Sequence, residues 1–492
     1  MFKLKTLSLP VGQQDFVSFA SRSSPTPVRE VYFPFPVQLG KKAMIPDVTF
    51  SPFTLKTGDI VFQVRFSISL ITGDNHPVEI LLPPSQINPQ INFDTLQENA
   101  LLQTQKDGIY AGEIAFGGLK KTGTGYLVAV AYPSLDANTA FQMAVDMNNL
   151  FCTDDFADEG ENTTDMQVTT STERTRRLLN ILEKKAKAMS ISELESELEK
   201  MRASYTPQSI AYGKAYIAQL SLGISPEWSL PSLYSYFASV GVEKGYEKRG
   251  EPPTEEMNGS IRADAGGAVH AIAKGAHYLG IPLENLEKKY YQLSILKTFA
   301  ANCTEYSNDA YSLTKEHLVF IERILRNKQE LSEDAFLAKM KDIRENGLRD
   351  PQLLDELRKV VAFSLPHIRW QTSGVDDLII AISSSIEKHN IHLRDYYELK
   401  ATLEKSFLDR KAAFKKELLE ANSDEEETPK ELLAELEKDH IEVKRYYSIL
   451  EGWLAHGWWA LSVPRYNLGI TPCTQERLLE LQKLQKSCLI HP

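Results

Sequence analysis

Between residues 60 and 70 the chain alternates. Ile60, Phe62, Val64, Phe66, Ile68 and Leu70 point one way, and Val61, Gln63, Arg65, Ser67 and Ser69 the other. A period of two in β-branched and aromatic residues predicts a strand. "TGDN" (72–75) reads as a turn, and "VEILL" as a candidate partner strand. From about residue 90 the period lengthens to that of a helix. "TERTRRLLNILEKKAKAMSISELESELEKMRASY" and "IPLENLEKKYYQLSILKTFAANCTEYSNDAYSLTKEHLVFIERILRN" carry helical periodicity and strong helix formers. Helical patterns then dominate to the end. "SDEEETPKE" (423–431) interrupts two of them, "KATLEKSFLDRKAAFKKELLE" and "ELLAELEKDHIEVKRYY", and reads as the loose tip of a solvent-exposed helical hairpin.

The expected fold is therefore all-α, with an N-terminal segment that contains strands and a charged helical insertion. Four parts follow: an extension over 1–76, a first helical part over 77–328, a helical segment with the insertion over 329–439, and C-terminal helices over 440–492. The 492 residues, 42% of them hydrophobic and 25% charged, suffice for a sizeable core. The net charge of −11, with no lysine- or arginine-rich cluster, argues against nucleic acid as a partner. No apolar run reaches the ~18 residues of a membrane span. Cys152, Cys303, Cys473 and Cys488 stand far apart, without zinc or disulfide spacing, which fits a reducing compartment. The first thirty residues are serine-rich and acid-poor and weakly resemble a transit peptide. The expectation is nonetheless a cytoplasmic protein.

Candidate chemistry begins at "NNLFCTDDFADEGEN" (148–162). Four acids follow an apolar run. On a helix Asp154 and Asp158 share a face, as do Asp155 and Glu159. Like charges at that spacing repel. No basic residue lies in the stretch, so a metal ion is the natural compensator, and oxygen-only ligands favour magnesium, calcium or manganese. An acidic helix end running into a loop is the plainer alternative for such a motif taken alone.

A second constellation lies in "NDAYSLTKE". Asn308, Ser312 and Glu316 fall on one helical stripe, and amide, hydroxyl and carboxylate oxygens form a plausible magnesium site. Lys315 lies beside the stripe and could face an anion. The alternative is the polar face of a surface helix. Asn308 counts slightly against it, since asparagine inside a helix wants a partner.

DDxxD followed by N-D-x-x-S-x-x-K-E resembles a class I terpene synthase of the microbial and fungal type. Three further stretches extend the resemblance: "WALSVPRY" supplies Trp459, Arg465 and Tyr466 in a W-x5-R-Y pattern, "IRADAGGAVH" offers an arginine followed closely by glycine, and "PPSQINPQINFDTLQENA" holds an I-N-P entry triplet. The resemblance covers roughly 77–325 and 440–475. It implies an all-helical bundle with both metal motifs at the mouth of an apolar cavity. Asp154, Asp155, Asp158, Asn308, Ser312 and Glu316 would hold three Mg2+ ions, and Arg262, Lys315, Arg465 and Tyr466 would contact the diphosphate of a prenyl substrate. Phe151 and Trp459 would line the cavity, with Trp453 and Trp458 as weaker candidates. Core packing explains any one of these aromatics equally well. Gly266, or Gly267, is the expected helix break, and Ala265 stands where the family often has a polar residue.

The implied activity is magnesium-dependent ionisation and cyclisation of a prenyl diphosphate, farnesyl before geranylgeranyl diphosphate. Two other readings compete. A chain-elongating prenyltransferase should carry a second aspartate-rich motif, and only one is visible. A non-catalytic helical protein that kept the fold has no need for all three phosphate-binding elements. Residues 1–76 and the long interval between Glu316 and Arg465 depart from the family pattern without touching a motif residue. Oligomeric state leaves no trace in the sequence, and a homodimer is compatible with it.

Overall fold

The structure is a computed structural model. It describes residues 2–7, 16–21, 29–31, 37–39, 42–44, 49–68, 76–84, 88–107, 123–158, 165–226, 229–249, 255–307, 375–420 and 427–462, with isolated positions 332, 335, 338 and 351. Strands come first: β1 (Phe2–Leu7), β2 (Phe16–Ser21), β3 (Arg29–Val31), β4 (Val37–Leu39), β5 (Lys42–Met44), β6 (Thr49–Thr54), β7 (Ile60–Ile68) and β8 (His76–Leu82). Six form one antiparallel sheet in the order β3-β2-β1-β6-β7-β8, and β4 and β5 pair separately. The strand expected at 60–70 is β7. "VEILL" belongs to its partner β8, with Phe62 opposite Leu82 and Val64 opposite Ile80. The "TGDN" turn lies outside the described residues.

The alternation along β7 is less clean than its letters suggest. Val61 and Phe62 are both buried, while Ile60 is partly exposed. In β8, Ile80, Leu81 and Leu82 are buried in succession. Consecutive buried positions mark a strand covered on both faces.

The remainder is helical: α1 (Phe93–Lys106), α2 (Thr124–Ala131), α3 (Ala137–Asp158), α4 (Asp165–Ala186), α5 (Ile191–Met201), α6 (Pro207–Ser221), α7 (Leu230–Arg249), α8 (Glu255–Ala265), α9 (Ala268–Tyr278), α10 (Leu283–Lys289), α11 (residues 292–307), α12 (Val375–Glu420) and α13 (Glu427–Ser462). Local signals start several of them. Asn92 caps α1 through the Thr95 amide, Ser190 and Glu193 form a capping box on α5, and Thr206 caps α6 ahead of Pro207. The I-N-P triplet also finds its reason. Buried Asn88 donates from Nδ2 to the Leu135 carbonyl at 2.7 Å and to that of Tyr132 at 3.2 Å, clasping the chain beyond α2.

Helix α3 is the centre of the bundle. It packs against α1, α2, α6, α7 and α9, and residues 142–150 are buried without interruption. A helix buried all round belongs to a core rather than a surface.

The expected helical hairpin is α12 with α13, and the tip at 421–426 lies outside the described residues. Its base is core: Tyr396, Phe407, Val443, Tyr446, Leu450 and Trp453 are buried. Further out, Leu408 and Leu419 are exposed, and ion pairs such as Lys411–Glu437 (2.7 Å) join the two helices.

The sheet is bonded into the bundle through α12. Asn390 accepts from the Leu81 amide (2.7 Å) and donates to the Glu79 carbonyl (2.8 Å). The buried ring of His389 lies between two carbonyl oxygens, Leu81 on β8 (2.7 Å from Nε2) and Cys303 on α11 (2.9 Å from Nδ1). One side chain thereby ties strand, hairpin and α11 together. Burial lowers the pKa of this imidazole, against the pull of the two carbonyls; in its neutral form the ring donates to one of them at a time.

Burial likewise depresses His392 to about 4 and His277 to about 3. The unfolded chain protonates such rings near pH 6.5, so it binds more protons than the folded chain in the window below that value. Stability should therefore fall as the pH drops from about 6.5 towards 4. Urea midpoints measured across this range check it, and His392→Phe should flatten the dependence.

Candidate functional site

The acidic motif occupies the last turns of α3, where the helix leaves the core. Leu150, Cys152 and Thr153 are buried, whereas Phe151 and Asp154 are half-buried. Asp154 thus stands where burial along the helix gives way. Asp155 and Asp158 are on the same helix, although their side chains lie outside the described residues. Phe151 packs against the hydrophobic core.

Hydrogen bonds hold this end of α3 on two sides. Tyr212 of α6 donates to the Asn149 carbonyl at 3.0 Å and lies 2.9 Å from the Thr153 hydroxyl, which also accepts from Gln208 at 2.8 Å. Tyr236 of α7 donates to the Leu150 carbonyl at 2.8 Å. Asn149 is itself buried, and neither its amide nitrogen nor its amide oxygen has a hydrogen-bond partner among the described residues.

Two turns before Asp154, α3 is fixed to α9 by a buried ion pair. Lys274 Nζ lies 2.9 Å from Asp146 Oδ2, with the two residues 7% and 4% exposed. The Tyr278 hydroxyl and the Gln142 amide donate to the same carboxylate, at 2.5 and 3.2 Å. Such a pair tolerates burial only because the remaining lone pairs are used.

The break between α8 and α9 falls where the glycines predict it. Helix α8 ends at Ala265, and Gly267 begins α9 with φ +74°, in the left-handed region that glycine enters without strain. Helices α3 and α11 both meet this break. A β-carbon on Gly267 would lie 3.4 Å from Leu150, the residue one helical turn before Asp154. A β-carbon on Gly266 would overlap the carboxylate of Glu305 on α11, 2.0 Å from Oε1. Asn308 follows Glu305 by three residues.

Arg262 stands one turn before the break, between two acids. Its Nη1 donates to Glu243 of α7 at 3.1 Å, and its Nη2 lies 3.7 Å from Glu305 Oε2. Asp264 accepts from Ser235 at 2.7 Å. The structure thus brings together Leu150 of α3, Arg262, the Gly266–Gly267 break and Glu305 of α11. Asn308, Ser312, Lys315, Glu316, Arg465 and Tyr466 lie outside the described residues. Trp459 is on α13, with its side chain outside them. Trp453 is a core residue, 6.0 Å from the Tyr132 ring in an edge-on arrangement.

Glu243, Glu305 and Asn149 were not singled out from the sequence. For Glu305 a signal existed, because it continues the stripe of Asn308, Ser312 and Glu316 backwards by one turn. Among the described residues no three His, Cys, Asp or Glu side chains form a metal cluster, and no helix is long and apolar enough to cross a membrane.

No family model and no curated protein matches the chain. Among solved structures it is similar to the SVS_A2 protein from ancestral sequence reconstruction (16% identity, 65% of this chain and 90% of that one, TM-score 0.39). Similar too are germacradien-4-ol synthase from Streptomyces citricolor (18%, 65% and 96%, 0.35) and linalool/nerolidol synthase from Streptomyces clavuligerus (16%, 63% and 97%, 0.36). Likenesses this distant carry no inference about substrate.

Replacing Lys274 with Met should strand a buried carboxylate between α3 and α9. Chemical denaturation should show a loss of about 3–5 kcal/mol.

Proposed function

We propose that the chain is a magnesium-dependent class I terpene synthase that ionises a prenyl diphosphate and cyclises the resulting carbocation. The observation that supports this best is the meeting at one helix break. Leu150, one turn before the acidic motif, and Glu305, three residues before the Asn/Ser/Glu motif, both approach Gly266–Gly267, with Arg262 one turn away.

Asp154, Asp155 and Asp158 from one side and Asn308, Ser312 and Glu316 from the other would hold the metal. The donors are oxygen only, and Cys152, the soft atom beside the motif, is buried. That set suits a hard divalent cation. Bound there, magnesium would supply positive charge to a leaving diphosphate.

The chain's own groups do the rest. Arg262, Lys315, Arg465 and Tyr466 donate hydrogen bonds to phosphate oxygens, charge-assisted where the donor is Arg or Lys. Arg262 is already oriented for this by Glu243 and Glu305. Phe151 and Trp459 present aromatic faces to the allylic cation, which their quadrupoles stabilise without trapping it. Water must be kept from the cation until it has rearranged. The acids would thus not bind the substrate themselves; they would hold the cations that do. Farnesyl diphosphate is the proposed substrate and geranylgeranyl diphosphate the second choice.

Purified protein given geranyl, farnesyl and geranylgeranyl diphosphate should release diphosphate only with magnesium and form a terpene hydrocarbon or alcohol from one of them. Asp154→Ala and Asn308→Ala should each lower that release by roughly 100-fold or more, the scale of losing a group that stabilises transition-state charge, with the far-ultraviolet circular dichroism unchanged. Consumption of isopentenyl diphosphate would instead indicate chain elongation. Full turnover in both variants would refute the metal assignment.

A further inference from the structure

Glu305 is a buried carboxylate to which the proposed reaction assigns no part. It is 5% exposed and sits in the last turn of α11. Burying a carboxylate costs several kcal/mol unless it is paired. The Arg262 guanidinium lies 3.7 Å away, and Glu243 holds that guanidinium from the opposite side at 3.1 Å.

The other contact is with the helix break. A β-carbon at Gly266 would lie 2.0 Å from Oε1, 2.1 Å from Cδ and 2.2 Å from Oε2. The carboxylate therefore lies flat against the Gly266 backbone, in space that any other residue would fill. Gly266 has no positive φ, so its glycine is required by this approach and not by its conformation. The preceding residue, Ala265, is buried and brings no polar side chain to the break. The polar group there comes from the facing helix.

We infer that Glu305 is a positioning residue that couples Arg262 to the helix break and to the second motif. The inference rests on the reading of Arg262 as a diphosphate contact. Three things then move together: the direction of the Arg262 guanidinium, the seat of the Gly266 peptide, and the end of α11 from which Asn308 follows. An anion arriving at Arg262 takes up part of the charge that holds Glu305. Its arrival is thereby felt at the break and at the helix leading to Asn308. An acid on α11 performs this coupling because its carboxylate reaches both partners at once.

Two measurements test it. The first is a thermal-unfolding cycle with Gly266→Ala, Glu305→Ala and the double variant. Gly266→Ala should lower the melting temperature of the wild type, because the new methyl collides with the carboxylate. In the Glu305→Ala background the same change should be neutral or stabilising, since alanine restricts the unfolded chain. Additive effects would overturn the contact. The second is steady-state diphosphate release by Glu305→Gln, which keeps the shape and removes the charge. Turnover should fall by about 10- to 100-fold, the scale of a misplaced catalytic group. KM should stay within about 2-fold, as for an interaction realised only in the transition state. Equal kcat and KM in an active wild type and in Glu305→Gln would overturn the coupling alone. A wild type that releases no diphosphate from any prenyl substrate would overturn the functional reading first, and this role with it.

Discussion

Burial of the middle of α3, residues 142–150, is the constraint on which the rest of the molecule depends. A helix surrounded on every side contributes much apolar area, but each polar group on it needs a partner inside the protein. The structure meets most of that demand in stages, with the Asn149 amide the exception among the described residues. Asn148 bridges Thr104 and Thr124, Asp146 takes Lys274 and Tyr278, and Thr153 takes Gln208 and Tyr212. These bonds fix the helix along its axis and in rotation. Its acidic end therefore emerges at one place and in one orientation.

The same economy of position appears at the α8–α9 break. Two adjacent glycines do different work there. Gly267 turns the chain, and Gly266 leaves room for a carboxylate from another helix. Arg262 is held between Glu243 and Glu305, so the cation nearest the break already has its direction. A charge placed this way in a poorly hydrated environment acts more strongly than one on a mobile surface side chain.

The N-terminal sheet has a share in this arrangement. His389 and Asn390 bond β8 to α12, and His389 also reaches the Cys303 carbonyl on α11, two residues before Glu305. A segment that looks foreign to a helical bundle is thus linked, through His389, to the helix that precedes the second motif. The base of the α12–α13 hairpin contributes buried aromatics, while its outer part carries exposed leucines and ion pairs. The charge in the hairpin sequence marks its outer part and hides the base.

Element types, the pairing of β7 with β8, the hairpin and the position of the helix break were legible in the letters. Periodicity, caps and glycines act within a few residues, and a local signal survives in a sequence. The motif residues were named as candidates through spacing that puts oxygens on one helical face. Burial of both Val61 and Phe62 could not be read, because it depends on what covers each face of the sheet. Nor could the meeting of Glu305 with Gly266 and Arg262, or of His389 with Leu81 and Cys303. Those contacts join residues far apart along the chain. The sequence by itself determined which local structures form and offered candidate oxygen donors on helical faces. Only the tertiary structure decided which distant residues meet, because that depends on how helices pack and not on the order in which they are written.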